Sequence, residues 1–262
     1  MTRQNYYKQR RRRRRREVDE SLIIALVRRE RQQQPRLGCR KLHRHLRQQF
    51  RDAGIQVGRD RMFEVLRHHG MLVRPLPKKP RTTFSGHSLP VYRNLISELE
   101  ATAPNQIWVS DVTYIRTWGG FEYLTLIMDL HSHKIVGYHC GESLDTKTSM
   151  KALNQAIADL PDDRYPIHHS DRGSQYCSHK YVERLNGRYL PVSMTELNHC
   201  AENSTAERLN GILKQEYGLG RTFLSRQQVR RAVDEAVWLY NHRRPHMTLD
   251  YQYPAKVHAL AA

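Results

Sequence analysis

The sequence has few cysteines, no long apolar run and, in its first hundred residues, few acids. The four cysteines among 262 residues form no Cys-x-x-Cys pair, which argues against a structural zinc site and favours reduced thiols in a cytoplasm. No apolar run approaches the roughly 18 residues of a membrane span, and no apolar stretch of a secretory signal follows the arginine-rich start. Hydrophobic residues still make up 39% of the chain, which is enough for a folded core.

Basic residues outnumber acidic ones by 18, and the excess is concentrated at one end of the chain. Residues 1–100 hold 26 basic and 9 acidic side chains, whereas the remaining residues hold 18 and 17. This asymmetry predicts a module that binds a polyanion, joined to a nearly neutral one. Nucleic acid is the expected polyanion, because lysine and arginine that bind its phosphates release counterions and this favours binding. A surface that is basic only for solubility needs no such clustering.

The first hundred residues show helical patterns separated by helix breakers. Seven consecutive arginines beginning at Arg10 predict an arm that is flexible or ordered by DNA, ahead of a helix that Pro35 ends. Two short helices are predicted over about 40–52 and 59–69. Their arginines suit a helix-turn-helix-like DNA reader, and a small helical packing domain is the alternative. Residues 75–98, rich in proline, are predicted to be a linker.

From about residue 107 the pattern changes to strands. Three β-branched and aromatic runs, IWVSDVTYI, FEYLTLIMDL and KIVGYHCG, predict an antiparallel meander. A helix, a short strand, a helix, another short strand and two more helices follow, which predicts an α/β fold with a five-stranded mixed sheet. The predicted divisions are an arm and first helix, the helix-turn-helix-like region, the linker, the α/β core and a C-terminal helix and tail, at 1–36, 37–74, 75–98, 99–222 and 223–262.

Three acids of the second part stand out by their context. Asp111 interrupts a strand, where aspartate is disfavoured, although a solvated strand position would also explain it. Asp171 follows the strand IHHS, where α/β sheets place ligand sites, although Asp-Arg-Gly is also common turn chemistry. Glu207 stands in the first turns of a helix, and Ser204-x-x-Glu207 is also a capping-box pattern. Asp129, at a hairpin end, is a rival acid in a commonplace position.

Several sequence blocks resemble a known family. With 35 residues between Asp171 and Glu207, the acids resemble the Asp-Asp-35-Glu pattern of transposases and retroviral integrases. More closely, the chain resembles the orfB-type transposases of the bacterial insertion-sequence-three family, over nearly its whole length. The blocks that carry this likeness are LGCRKLHRHLR with VGRDRMFEVLRHHGM, HSDRGSQYCS, SMTELNHCAENSTAERLNGILKQEY and YNHRRPHMTLDYQYPAKVH. The family's usual Gly-Tyr-Arg reads Gly38-Cys39-Arg40 here, and the loop of the glutamate block also departs.

The resemblance implies an RNase H-like core in which Asp111, Asp171 and Glu207 are both catalytic residues and metal ligands. Two Mg²⁺ ions, replaceable by Mn²⁺, would activate the attacking oxygen and hold the leaving one, and oxygen ligands suit Mg²⁺. His168 and His169 are expected to pack in the sheet, with His169 a candidate to support the site. The expected DNA contacts are Lys214, two helical turns after the glutamate, with Arg208, Arg10, Arg11, Arg12, Arg13, Arg14, Arg15, Arg16, Arg40, Lys41, Arg59, Arg61, Arg243 and Arg244.

The resemblance also implies partners and leaves two other functions open. Double-stranded DNA is expected both as the element's terminal inverted repeats and as target, with at least a dimer of the protein on it, at the nucleoid and away from membranes. In this family an upstream reading frame often supplies part of the active protein, so its product is a further expected partner. The chain could then be a non-catalytic DNA-binding regulator, the downstream half of a frameshifted transposase. An RNase H-like nuclease without strand transfer is the other alternative.

Overall fold

The computed structural model describes residues 3–74, 89–196 and 203–260, and the side chains of all of these except residues 11–14. The chain divides into two compact units, one of Met1–Leu76 with Pro245–Tyr251 and the other of Pro77–Arg244 with Gln252–Ala262. None of the described helices is both long and apolar enough to cross a membrane. Cys39, Cys140 and Cys177 are free thiols, and Cys200 lies outside the described residues.

The first unit is helical, as predicted. Its helices are α1 (Arg3–Gln33), α2 (Cys39–His45), α3 (Arg47–Asp52) and α4 (Arg59–His68), followed later in the chain by a 3-10 turn at Met247–Leu249. One core joins α1 to the three short helices through Ile23, Val27, Leu37, Leu42, Leu46, Phe50, Ile55, Met62, Val65 and Leu66. These apolar side chains recur at helical spacing, so each short helix has one apolar face. That face is buried only by packing against the neighbouring helices.

Two expectations for this unit were wrong. The arginine-rich arm is helical, because arginine is a good helix former and the segment continues into the part of α1 that docks Ile23 and Val27 in the core. The single helix expected over 40–52 is divided at Leu46, which lies between α2 and α3 and caps both of them. The bend leaves Leu46 and Phe50 both buried, so tertiary packing overrides the continuous helical pattern.

The second unit is built on the predicted five-stranded mixed sheet. Its strands are β1 (Ile107–Thr117), β2 (Gly120–Asp129), β3 (Ile135–Gly141), β4 (Ile167–Ser170) and β5 (Val192–Met194), in the order β3-β2-β1-β4-β5. β1, β2 and β3 form the expected antiparallel meander, whereas β4 pairs in parallel with both β1 and β5. The sheet is therefore antiparallel on one side of β1 and parallel on the other.

Helices cover both faces of this sheet. They are α5 (Thr146–Ala158), α6 (Ser174–Cys177), α7 (His179–Asn186), α8 (Ser204–Glu216), α9 (Arg226–His242) and α10 (Pro254–Leu260). Alternation along β1 separates the two cores: Ile107 and Val109 pack with α8 and α9, whereas Trp108 packs with α5, α6 and α7. The one expected helix near residue 179 is preceded by α6, a single turn that the sequence pattern did not reveal.

Two segments predicted to lie outside the core pack against it. In the expected linker, residues 75–88 fall outside the described part, but the Leu95 amide donates to Ser193 Oγ at 2.9 Å and the Asn94 amide to Glu196 Oε1 at 2.8 Å. Residues 89–98 therefore follow the β5 edge of the sheet. The second segment is the C-terminal helix expected within 223–262, which is α9 and buries Val229 and other apolar residues in the core that β1 shares.

Candidate active site

Parallel pairing of β1 with β4 brings Asp111 and Asp171 together. The last pair in register is Ser110 with Ser170, so each aspartate is the residue that directly follows this pair. Both carboxylates therefore lie at the carboxyl end of the parallel strands, where α/β sheets form ligand sites. Because the two strands differ in length, Asp111 is still inside β1 whereas Asp171 begins a loop.

Asp111 is held in place by two hydrogen bonds and has a raised pKa. The Val112 amide donates to its Oδ1 at 2.8 Å, and Asn210 Nδ2 donates to its Oδ2 at 2.7 Å. Burial, followed by the neighbouring charges of Asp171 and Glu207, raises the pKa of Asp111 to about 7 in spite of these two bonds. The three acids therefore form one electrostatic site, and Asp111 is not a solvated strand residue.

Asp171 combines the turn chemistry and the site position that the sequence left open. Its Oδ1 accepts a hydrogen bond from the Gly173 amide at 3.0 Å, as expected of an Asx turn. Arg172 Nε donates to the Thr195 carbonyl at 2.7 Å, which ties the same loop to the end of β5. The turn thus orients the carboxylate that the strand register has brought beside Asp111.

Glu207 is supplied by the first turn of α8. The helix is preceded by Asn203 as its N-cap residue, so Ser204 is already helical and the capping-box explanation of Glu207 was wrong. Asn203 is buried, and its Nδ2 donates to the Ser110 carbonyl at 3.2 Å. This bond fixes the start of α8 against β1, one residue before Asp111.

Asn210 belongs to the site and was missed by sequence reasoning. It lies three residues after Glu207, on the same face of α8, and donates to Asp111. Its buried Oδ1 has no hydrogen-bond partner among the described residues. The signal for it was present, because an asparagine inside a helix is unfavourable unless its amide has a use.

The rival carboxylate, Asp129, has a structural role, because both of its oxygens accept hydrogen bonds within the fold. It is fully buried, and its Oδ1 accepts hydrogen bonds from the Ser132 amide at 2.7 Å and from Ser132 Oγ at 2.6 Å. Its Oδ2 accepts from the Asn105 amide at 2.7 Å. Burial raises its pKa, but the hydrogen bonds from His258, Ser132 and Asn105 outweigh this and hold the pKa below its usual value.

The two histidines before Asp171 are buried in the sheet. His168 Nε2 hydrogen-bonds with Tyr181 Oη at 3.0 Å, and burial, with the charge of His169, lowers its pKa to about 3. His169 Nδ1 hydrogen-bonds with Ser193 Oγ at 2.8 Å. His168 is therefore a neutral packing residue, as expected, and the role of His169 as a support for the site stays a prediction.

The expected DNA contacts of the second unit differ in their surroundings. Lys214 Nζ lies 5.1 Å from the centre of the Tyr114 ring, on the α8 face that carries Glu207. Arg208 is exposed and close enough to lower the pKa of His133, after the larger effect of burial. Arg243, at the end of α9, is half-buried.

Arg244 is braced inside the unit instead of being available to phosphate. It is 4% exposed, and its Nε and Nη2 donate to Glu216 Oε2 and Oε1 at 2.8 and 2.9 Å. Two parallel hydrogen bonds of this kind join the end of α8 to the end of α9. The sequence does not reveal whether an arginine is buried, because that depends on its tertiary neighbours. A DNA contact was therefore expected here.

The expected contacts of the first unit lie mostly on its surface. Exposed side chains are those of Arg10, Arg15, Arg16, Arg40, Arg59 and Arg61, whereas Lys41 is half-buried and Arg11, Arg12, Arg13 and Arg14 lie outside the described side chains. Arg59 pairs with Asp60 at 2.8 Å, and Arg61 with Glu20 at 3.0 Å. Such exposed pairs are weak and would exchange readily for a phosphate.

The raised pKa of Asp111 predicts how stability depends on pH. Folded protein keeps a proton on Asp111 up to about pH 7, whereas the unfolded chain releases it near the ordinary value of 3.8. This contribution to the free energy of unfolding is therefore greatest at low pH and is lost as pH rises through 7. Urea unfolding in EDTA from pH 5 to 8 should show a smaller loss for Asp111→Asn than for the parent. Equal slopes would contradict the assignment.

The sheet order and the acids at the carboxyl ends of its strands define an RNase H-like core of the integrase type. The integrase core domain model matches residues 101–200, and a second model of the same description matches residues 190–254. A chain in the cryo-EM structure of a simian T-cell lymphotropic virus intasome, in complex with the PP2A regulatory subunit B56 gamma, has the same fold. It matches with a TM-score of 0.51 at 20% identity, over 84% of this chain and 70% of that one.

Proteins of similar sequence identify the family within this class. The chain is 36% identical to the uncharacterized 31 kDa protein of insertion element IS600 from Shigella sonnei, over 84% of this chain and 83% of that protein. It is 33% identical to the transposase for insertion sequence element IS629 from the same organism, over 84% and 72%. It is also 33% identical to transposase InsF for insertion sequence IS3A from Escherichia coli, over 69% and 64%. The chain belongs to the orfB-type transposases of the insertion-sequence-three family.

Proposed function

We propose that this protein is a DDE transposase that binds the ends of an insertion sequence and catalyses metal-dependent cleavage and transfer of DNA strands. The observation that carries this proposal is the convergence of Asp111, Asp171 and Glu207 at one end of the parallel strands, with the pKa of Asp111 raised to about 7. Acids arranged in this way repel one another unless a cation lies among them. Family membership supplies the reaction class, since the named relatives are transposases.

The residues of the site fit a hard divalent cation. Three carboxylates offer only oxygen ligands, which Mg²⁺ and Mn²⁺ prefer, and the buried Asn210 Oδ1 is a further oxygen without a hydrogen-bond partner in the described chain. Asp111, Asp171 and Glu207 would hold the ions. When bound, a pair of such ions activates the attacking oxygen and stabilises the leaving oxygen of a phosphodiester.

The chain's own residues would prepare this reaction. Asn210 orients Asp111, and the Gly173 amide orients Asp171, so neither carboxylate needs to reorganise when a metal ion binds. Lys214 lies on the same helix face as Glu207 and offers a positive charge to the DNA end beside the acids. The excess of basic residues in the first hundred positions would hold the DNA by its phosphates, so binding should weaken steeply with salt.

Strand transfer requires two DNA ends and a target, so we expect at least two copies of the protein on DNA. The N-terminal helical unit would then recognise the terminal inverted repeats, and the second unit would act on the phosphodiester. A structural relative of this chain occurs in an intasome, which is consistent with assembly on DNA. An upstream reading frame, where present, would supply a further part of the DNA-binding surface.

The experiment that tests this function follows labelled DNA through both steps. Purified protein, with a duplex carrying the element's terminal repeats and a target plasmid, should give nicked ends and joined strands in Mg²⁺ or Mn²⁺ and neither product in EDTA. Nicking without joining would indicate a nuclease and contradict strand transfer. Binding to the terminal repeats without any cleavage, in the protein alone and with the upstream product added, would indicate a regulator.

A further inference from the structure

The hairpin of β1 and β2 carries alternating aromatic and cationic side chains further along β1 than Asp111. Arg116 lies opposite Phe121 in the strand register, and its guanidinium carbon is 5.0 Å from the centre of the Phe121 ring. Tyr114 meets the same ring edge-on, with 5.6 Å between centres. Lys214 Nζ lies 5.1 Å from the Tyr114 ring. These contacts form a continuous row that begins at Lys214, one helical turn after the asparagine that holds Asp111.

Among the described residues, the outer part of β1 is bridged on its β4 side only at its end, where Thr117 pairs with Phe223. β4 ends at Ser170, opposite Ser110, whereas β1 continues to Thr117. Tyr114 is 38% exposed, and Trp118, in the turn, is 78% exposed. Single exposed apolar residues are ordinary, but two exposed rings with a cation between them along the strand, and a half-buried ring beside that cation, indicate a binding surface.

The exposed tryptophan is held on a fixed backbone. The Trp118 amide donates to the Phe223 carbonyl at 3.0 Å, and the Phe223 amide donates to the Arg116 carbonyl at 3.0 Å. The Phe223 side chain is buried in the core ahead of α9. The hairpin end is thus tied to the unit on one side, so a ligand that stacks on Trp118 would not first have to order a mobile loop.

We propose that the stacking platform, which consists of Tyr114, Phe121 and Arg116 from this row with Trp118 two residues after Arg116 in the turn, binds unpaired nucleotides of a DNA strand next to the phosphodiester that is cleaved. The inference rests on the proposed function. Every base has an aromatic face that stacks on such rings, and cations between the rings suit the phosphates of the same strand. In an intact duplex those faces are occupied by neighbouring bases, so a flat row of rings favours a strand whose end has opened.

The position of the platform sets which nucleotides it meets. Along β1, at about 3.3 Å per residue, Tyr114 lies roughly 10 Å from Asp111 and Trp118 roughly 23 Å. A DNA strand advances about 3.4 Å per nucleotide in a duplex and further when it is stretched. The platform would therefore contact nucleotides about three to seven positions from the scissile phosphate.

Binding of a forked and a blunt DNA tests the proposal in the full chain. The probes are a 30-base-pair duplex with blunt ends and the same duplex with six unpaired nucleotides at one end, measured by fluorescence anisotropy without divalent ions. The parent should prefer the fork. Trp118→Ala and Tyr114→Leu should each weaken fork binding by about five-fold or more while changing blunt binding less than two-fold, since a stacked base contributes about 1–3 kcal/mol.

Tyr189→Ala is the matched control. This residue is 80% exposed, as Trp118 is, but lies just before β5, at the amino end of the parallel strands and away from the acids. It should bind both DNAs as the parent does. Equal weakening of fork and blunt binding by Trp118→Ala would overturn the proposal, as would no weakening. A change of oligomeric state with unaltered fork preference would show a protein interface instead and would also overturn it.

The proposal and the function on which it rests fail in different ways. Asp111→Asn should abolish cleavage and keep the preference for the fork, because stacking needs no metal ion. If Trp118→Ala loses the fork preference but the parent does not cleave DNA, the platform is supported and the transposase function is contradicted. If the parent cleaves DNA normally and Trp118→Ala has no effect on fork binding, the transposase function is supported and the platform is contradicted.

Discussion

Asp111→Asn is expected to abolish strand cleavage and joining, by about a thousand-fold or more, without loss of DNA binding. Asparagine keeps the size of the side chain but removes the charge that would hold a divalent ion, and such ions contribute several kcal/mol to the stabilisation of a transition state. Asp171→Asn and Glu207→Gln should have similar effects. The double variant Asp111→Asn with Glu207→Gln should be little worse than either single change, because the acids act as a unit.

Asp129→Asn is the control for these variants. It removes a buried carboxylate that serves Ser132, Asn105 and His258, so it should lower the melting temperature. Its cleavage rate per folded molecule should stay near that of the parent. Rates are measured under single-turnover conditions on a labelled end, with binding measured separately. Full activity of any of the three acid variants would remove that residue from the site.

Arg244→Met is expected to have the largest effect on stability. Arg244 and Glu216 form a bidentate pair in which the arginine is 4% and the glutamate 20% exposed at the side chain. Loss of one partner leaves a largely buried charge uncompensated, which typically costs about 3–5 kcal/mol. In a domain of this size the melting temperature should fall by roughly 10 °C.

The companion change distinguishes a brace from a phosphate contact. Arg244→Met with Glu216→Gln removes both charges and should recover part of the lost stability, because no buried ion is left alone. Arg243→Met, the change at the neighbouring residue, should leave the melting temperature within about 2 °C of the parent. A thermal denaturation series measures all three. Normal stability of Arg244→Met with weakened DNA binding would mean that the side chain serves phosphate after all.

The strands and the acids could be predicted because their signals are local. Alternating and β-branched runs mark β1 to β5, and aspartate inside a strand attracts notice wherever it occurs. The α/β order of elements then restricts the sheet to few arrangements. The placement of Asp111 and Asp171 next to each other needed one further fact, that Ser110 and Ser170 end the parallel pairing, and no local pattern contains a register between distant strands.

Features that depend on tertiary neighbours could not be predicted. Asn203 looks like an ordinary N-cap residue and Asn210 like an ordinary helix residue until their amides meet Ser110 and Asp111. The pairing of Arg244 with Glu216 joins the ends of two helices that the sequence separates. The prediction for the arginine-rich arm was wrong for another reason. Mutual repulsion among the arginines favours a flexible chain, but the segment is continuous with the packed part of α1 and is helical.

The mixed pairing around β1 also sets an order of assembly during folding. β1 meets β2 through a two-residue turn, so the hairpin closes over a short loop, whereas β4 must reach the other edge of β1 from about sixty residues further along the chain. The entropy of closing that longer loop delays the parallel pair. Asp111 is thus in its strand early, and Asp171 joins it only when the whole sheet has formed. We therefore expect a nascent or partly folded chain to hold no assembled acid site and to lack the proposed activity until the parallel pair has formed.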